Sequence, residues 1–384
     1  MANLVFVHGV ATRSGAEYNR AVSARGRRFR ETAFAGVPLQ IRDPYWGGHG
    51  ADPQWALSSI PNMSGKYEHL GVAGDQEPAI DALLAAARAD LPSLVASLSV
   101  EDLSELEAAG DDDALHRAER FWSAAAAYVA RSPQPGWLDD VSDDDEFTTE
   151  LQRQVEPLTK EEHLGLLDPV RAAARRLGGA LSNIVNAPFA RLGRERISPA
   201  VAIFIGDVFE YLRAAEPRAG IRLAVLTELK AAARDAKENG EPLVVAGHSM
   251  GAVILYDVLS DDAAMAALGT ELGHALEIDL LLTIGSQVAL FEELKLYVAS
   301  DMNRSGTALP PHDRVPRPVR AKRWWNAFDR MDVLSFVAKP VFDGVEDFEV
   351  DTISGVAGAH GAYFTNMVFY QRLNARMRKD GLLG

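Results

Sequence analysis

No cysteine occurs among the 384 residues. That absence excludes disulfides, a thiol nucleophile and thiolate-held metal, although it does not identify a compartment. Positive charge is also short: 39 Lys and Arg stand against 54 Asp and Glu, and the formal net charge of −15 argues against a general nucleic-acid binder. No apolar stretch runs for about 18 residues without a charge, so no membrane-spanning helix is expected. Internal repeats and long low-complexity tracts are absent as well. What remains is ordinary globular material, 47% hydrophobic and 24% charged, long enough to bury a large core and to exceed one ordinary domain.

The most informative stretch is Leu243-Val-Val-Ala-Gly-His-Ser-Met-Gly251, followed by the helix-like Ala252-Val-Ile-Leu-Tyr-Asp-Val-Leu259. A β-branched run breaks into Gly247-x-Ser249-x-Gly251 and then into a helix, which is the strand-to-helix context of a nucleophile elbow. Such a turn holds its serine in a strained conformation, and glycines two residues before and after let neighbouring elements come close. A helix starting at Met250 aims free N–H groups at a developing oxyanion. His248 sits next to the serine on a tight turn, so its side chain points elsewhere and either packs or lines the pocket.

Near the start of the chain, Asn3-Leu-Val-Phe-Val7 is a short apolar run ending in His8-Gly9-Val10 and a loop, Ala11-Thr-Arg-Ser-Gly15. A strand-to-helix loop of this kind beside an elbow donates the second oxyanion N–H, assigned here to the backbone of Val10, with Gly9 as the alternative.

These two segments resemble the α/β-hydrolase superfamily, in particular intracellular esterases and lipases with an HG loop near the N-terminus and a GHS-M/L-G elbow. The resemblance covers roughly residues 1–50 and 199–384 and does not extend to 51–198. It implies a triad running Ser, then Asp or Glu, then His along the chain. Only His274, His312 and His360 follow Ser249. His360 lies in Gly355-Val-Ala-Gly-Ala-His-Gly-Ala-Tyr-Phe364, after a strand-like 346–354 and before an amphipathic C-terminal helix, where the resemblance places the base. An imidazole suits that role because its ordinary pKa lies near neutrality. His274 and His312 precede or adjoin turn and proline segments and read as surface residues. For the acid, Asp332 followed by Val333-Leu334 matches the D-x-V pattern of similar hydrolases and is favoured over Asp329, either of which can alternatively cap a turn.

Charge is unevenly placed. Residues 101–160 hold 16 acidic against 5 basic side chains, with clusters at Asp111–Asp113 and Asp143–Glu146. Neither shows the ordered loop of a calcium site, so both read as solvated loop charge. Helical periodicity appears at 80–91 and 119–129. Residues 52–198 are therefore expected to form an inserted, mostly α-helical cap, with 1–51 and 199–384 as the catalytic domain. Within the cap, 169–199 carries six arginines and one glutamate beside an apolar face. Such a helix either contacts an anionic lipid surface as a peripheral membrane element or lid, or packs on the catalytic domain with its arginines meeting the acidic clusters. Further on, 200–212 and 221–233 read as helices, and Asp207 to Tyr211 either line the pocket or pack. Gly285-Ser286-Gln287 resembles the GSP-type strand end of similar lipases, with Gln287 in place of proline.

The expected fold is an α/β three-layer sandwich with a mostly parallel sheet of strands at 3–8, 38–43, 243–248, 278–284, 320–327 and 346–353. The expected chemistry is carboxylic ester hydrolysis through Ser249, His360 and Asp332, on a small-molecule or lipid acyl substrate, with no metal or organic cofactor implied. A thioesterase, an amidase or peptidase, and a non-catalytic interaction protein on the same fold remain as alternatives. Because Met1 leads straight into the strand that carries the HG loop, cleavage of a leader there would destroy the site, and the expected location is cytoplasmic.

Overall fold

Six apolar runs pair into one sheet. In the computed structural model, which describes residues 1–10, 12–52, 82–158, 202, 204–212, 216–307, 312–352 and 359–383, the strands are β1 (Ala2–Val7), β2 (Leu39–Arg42), β3 (Leu243–His248), β4 (Leu280–Ile284), β6 (Trp324–Phe328) and β8 (Val345–Glu349). Their order is β2-β1-β3-β4-β6-β8 and every pairing is parallel. Short strands β5 (Val315–Pro316) and β7 (Phe342–Asp343) form a separate parallel pair. All six of the expected strands are present, with ends shifted by a few residues.

Parallel strands covered on both faces lose the in-out alternation and become continuously apolar. That is the pattern here: β1 and β4 are buried at every position. Leu4, Phe6, Val244, Ala246, Leu282 and Trp325 face one core cluster, while Val5, Val7, Val245, Leu281 and Trp324 face a second. Helices cover both. The first face carries α1 (Ala16–Arg28) and the C-terminal Met367–Lys379; the second carries Glu216–Asn239, Met250–Leu259 and Asp262–Leu272. The charged, partly exposed β8 ends the sheet on one side and the four-residue β2 on the other, both short enough to discourage edge pairing.

Between β2 and β3 the chain leaves the sheet. Three helices follow in its described part: α2 (Ala82–Ala109), α3 (Asp112–Arg131) and α4 (Asp144–Val155). The helix read at 80–91 runs on past Pro92, because two helical segments join across a kink at Asp90, whose φ of −159° and ψ of 90° are non-helical. Pro92 is accommodated there: it falls at the start of the second segment, where its missing N–H costs no internal hydrogen bond. These helices share the first core cluster. Leu91, Leu98, Trp122, Phe147 and Leu151 are continuous with Phe6, Phe29, Tyr370 and Met377, so the segment lies against α1 and the C-terminal helix. A buried guanidinium fastens the contact, since Arg28 donates to Glu119 Oε1 at 2.9 Å, Glu107 Oε2 at 3.1 Å and the Phe364 carbonyl at 2.7 Å.

The two acidic clusters turn out to start helices. Asp111 accepts from Ala114 N and caps α3, and Asp143 accepts from Glu146 N and caps α4. Glu146 accepts in turn from the N–H and hydroxyl of Ser142, the residue before the cap, tying the entering chain to the first turn. Asp144 accepts from the N–H groups of Leu83 and Leu84 at the start of α2. These carboxylates are helix caps and first-turn acids that complement the helix dipoles, not merely solvated loop charge. The basic stretch 169–199 lies outside the described residues. Among those residues no helix is long and apolar enough to cross a membrane.

After residues 204–212, which are helical, α5 (Glu216–Asn239) leads into β3 and then α6 (Met250–Leu259), all ten of whose residues are buried. Asp257 on α6 is buried yet accepts from the Tyr211 hydroxyl at 2.6 Å, Arg218 at 2.8 Å and Arg222 at 2.6 Å. A buried carboxylate is tolerable only with such a full set of partners. Tyr211 thus packs on α6, and the network holds the helix that follows Ser249.

Strand order places the site. β1 lies between β2 and β3, so the chain departs to opposite sides after β1 and β3, and a crevice opens at their C-terminal ends. His8-Gly9 and Ser249 are the residues at those ends.

Candidate active site

Ser249 follows β3 directly and has φ 53° and ψ −128°. Ser249 and Lys295 are the non-glycine residues with positive φ among those described. Such a conformation costs of order 1–3 kcal/mol and persists only where surroundings impose it. They do here. A Cβ on Gly251 would stand 2.2 Å from the Val7 carbonyl oxygen and 2.4 Å from that of His8, and one on Gly247 would stand 2.7 Å from Ala252 Cα. The two glycines therefore let the start of α6 press against the end of β1, while the Ser249 N–H donates to the Ile284 carbonyl at 3.0 Å and ties the turn to β4.

His360 lies in the short helix α9 (Ala359–Ala362), and Asp332 in the turn after β6. The structure brings both to Ser249: His360 Nε2 is 2.8 Å from Ser249 Oγ, and Nδ1 is 2.9 Å and 3.1 Å from the two Asp332 oxygens. The carboxylate can only accept, so Nδ1 carries the proton and Nε2 presents its lone pair to the serine hydroxyl. Asp332 is itself held, accepting from Leu334 N at 3.0 Å and from the Tyr363 hydroxyl at 3.2 Å. Burial, with the adjacent Asp332 charge second, pushes the Tyr363 phenol well above its ordinary range and keeps it a donor. Gly285 makes the space: its φ is +53°, and a Cβ there would meet Tyr363 Cε2 at 2.8 Å and Asp332 Oδ2 at 3.2 Å.

Asp329 is occupied elsewhere. It is buried and accepts from the backbone N–H groups of Met331 at 2.7 Å and Thr352 at 2.8 Å and from the Thr352 hydroxyl, bracing the acid loop against the segment after β8. His274 and His312 bond locally, to the Ala275 carbonyl and the Ser305 N–H.

At the end of β1, His8 is buried and stacks on Trp46 with ring centroids 4.9 Å apart and planes 8° from parallel. The Trp46 N–H donates to Nε2 at 3.2 Å, so the ring proton sits on Nδ1, which donates to the Gly9 carbonyl at 2.8 Å. Burial, aided by the Arg25 guanidinium, lowers the His8 pKa to about 4, so the ring is neutral near pH 7. Thr12 Oγ1 donates to the same Gly9 carbonyl at 3.1 Å. In a trans peptide the following N–H points opposite to that carbonyl, so His8 and Thr12 together set the direction of the Val10 N–H. Gly9 lies against the serine, where an added Cβ would come 3.0 Å from Ser249 Cβ. Met250 is the first residue of α6, and its N–H has no acceptor four residues back in the helix.

The structure gives three supporting groups specific partners that the sequence reading did not name. Gln287, which stands where the similar GSP loop has proline, donates to the Gly285 carbonyl at 3.1 Å and to the Leu334 carbonyl, linking the end of β4 to the acid loop. Asp207 accepts from Arg13 at 2.9 Å and from the Ala51 N–H at 2.7 Å, so it anchors the loop after β1 instead of lining a pocket. His248 donates from Nε2 to the His360 carbonyl at 2.8 Å. The cavity of about 600 Å³ lined by Glu292, Lys295, Arg304, His312 and Arg314 shares no residue with this constellation.

The arrangement can move a proton from a serine hydroxyl to an imidazole backed by a carboxylate. No family model, curated protein or solved structure matches the chain.

Proposed function

We propose that the protein is a serine hydrolase of the α/β-hydrolase type, cleaving carboxylic esters through an acyl-enzyme. One observation carries the reading: a hydrogen-bonded relay from Ser249 Oγ through His360 to Asp332, with its serine on a positive-φ turn between a strand and a helix. Structural serines have no need of a strained backbone and an imidazole backed by a buried carboxylate.

In this reading Ser249 Oγ attacks the acyl carbonyl as His360 Nε2 takes its proton, and Asp332 stabilises the resulting imidazolium. The carbonyl electrons move onto oxygen, which the N–H groups of Met250 and Val10 receive. Collapse expels the alcohol, protonated by His360, and leaves an ester on Ser249. Water then takes the place of the alcohol and attacks the acyl carbon as His360 takes its proton; the bond to Ser249 Oγ breaks, His360 returns the proton to the serine, and the acid is released. Ser249 has no exposed surface, whereas the His360 side chain keeps 23%. Substrate entry therefore begins at the histidine side and displaces what covers the serine.

An apolar acyl group suits the surroundings. Met331, Val333 and Val337, in and just after the loop that carries Asp332, are all exposed apolar side chains, the kind of surface a hydrocarbon chain covers. The test is turnover of chromogenic acyl esters of graded chain length beside matched thioesters and peptides. Esters should give a burst of released alcohol equal to the protein present, followed by slower steady turnover. Absence of turnover on every ester, or equal turnover by Ser249→Ala, would overturn the proposal.

A further inference from the structure

His248 is not used by the relay, yet it touches two of the parts that the relay depends on. It ends β3, immediately before Ser249, and is half-buried. Its ring lies 4.8 Å from that of His360, and edge-on to Phe364 at 4.9 Å and Tyr363 at 6.2 Å. Nδ1 faces the loop after β1, since a Cβ on Gly9 would stand 3.0 Å from it. Nε2 lies 2.8 Å from the main-chain carbonyl of His360, an oxygen that only accepts, so the ring proton is on Nε2.

We propose that His248 is a positioning residue for the base: its Nε2–H, bonded to the His360 carbonyl, holds the imidazole of His360 at bonding distance from Ser249. This rests on the hydrolase reading above. α9 has only four residues and cannot hold His360 by its own helical hydrogen bonds. The His360 ring is joined to Ser249 and Asp332, but the first contact lies on the path of the reacting proton and the second strengthens as the imidazolium forms, so both change during the reaction. The bond from His248 does not take part in the transfer, and it starts from the residue adjacent to the serine. Serine and base are thereby referenced to one another across two residues of β3 and its turn.

Neutrality fits the role. Burial, with the neighbouring His360 second, holds the His248 pKa well below the ordinary imidazole range. A neutral ring beside His360 leaves room for the charge that His360 gains when it takes the serine proton.

Glutamine and asparagine separate donation from packing. The glutamine amide nitrogen reaches two bonds beyond Cγ, where imidazole Nε2 lies, whereas that of asparagine reaches only the Nδ1 position. His248→Leu and His248→Asn should lower kcat by about 10²-fold with little change in KM, the scale of a misplaced catalytic group. His248→Gln should recover most of that loss. A second readout needs no turnover: the low-field proton resonance of His360 Nδ1 bonded to Asp332 should weaken in the leucine variant and return in the glutamine variant. A leucine variant with wild-type kcat and resonance, or a glutamine variant as impaired as leucine in both, would overturn the proposal. If wild-type protein turns over no ester while the resonance follows the predicted order, His248 is confirmed as the positioning group and the hydrolase reading is what fails.

Discussion

Acidification from pH 7 to 5 should cost the protein about 2 kcal/mol of folding free energy through His8 alone. The folded pKa of His8 is lowered from 6.5 to about 4, chiefly by burial against Trp46. A depressed imidazole pKa means that the unfolded chain binds the proton more readily. Its stabilising contribution is therefore complete above 6.5, declines as pH falls toward 4, and levels off below that. At pH 5 the unfolded imidazole is almost fully protonated and the folded one about nine-tenths neutral, and the linkage integral gives about 2 kcal/mol. His8→Asn isolates the effect, because its amide can still donate to the Gly9 carbonyl but does not titrate. The substitution leaves the Trp46 N–H without its acceptor, at a cost of about 1–3 kcal/mol that does not depend on pH. Urea unfolding of both proteins, followed by tryptophan fluorescence at pH 7, 6 and 5, reads the difference. Wild type should be the more stable at pH 7, and the gap should narrow by about 2 kcal/mol at pH 5. A gap that stays constant across that range would refute the assignment of His8 as a neutral buried ring holding the loop after β1.

Asp332→Asn should lower kcat by about 10⁴-fold with little loss of stability, whereas Asp329→Asn should mainly lower the unfolding midpoint, because Asp329 serves Met331 and Thr352; the reverse pattern in steady-state kinetics would move the acid role to Asp329. Gly285→Ala places a Cβ against Tyr363 and Asp332 on a positive-φ residue, so it should cost at least about 1 kcal/mol by chemical denaturation and reduce kcat along with it. Arg28→Ala should destabilise by about 1–3 kcal/mol, since it removes the donor to Glu107 and to the Phe364 carbonyl while Glu119 keeps Arg27; a cost below that of an ordinary surface ion pair would show that residues 82–155 are not docked through this cluster.

The parts of the fold that could be read in the sequence are those set by local rules. Strands buried on both faces appear as runs such as Asn3–Val7 and Leu243–Ala246, and the glycines around Ser249 mark a turn whose neighbours come within 2–3 Å of where a Cβ would be. Ser249, His360 and Asp332 could be put forward because the resemblance to the α/β-hydrolase superfamily implies an order along the chain, which the strand ends beside them narrow further. Contacts between distant segments were not legible. Nothing in the spacing of α3 shows that Glu119 meets Arg28, because periodicity identifies an apolar face but not its partner. His248 could be read only as packing or lining the pocket because its hydrogen bond goes to a main-chain carbonyl 112 residues away, and backbone acceptors have no sequence signature. The caps at Asp111 and Asp143 did have one, an acidic residue just before a helical run, with Glu146 three residues after Asp143, but the density of like charge masked it.

Reaction with a fluorophosphonate tests the central claim most directly, because the probe bonds only to a serine activated by its surroundings. Intact-mass measurement followed by peptide mapping should find one adduct per wild-type chain, on the peptide containing Ser249, none on Ser249→Ala, and slower formation on His360→Ala. An unlabelled wild-type protein, or equal labelling of wild type and Ser249→Ala, would contradict the account.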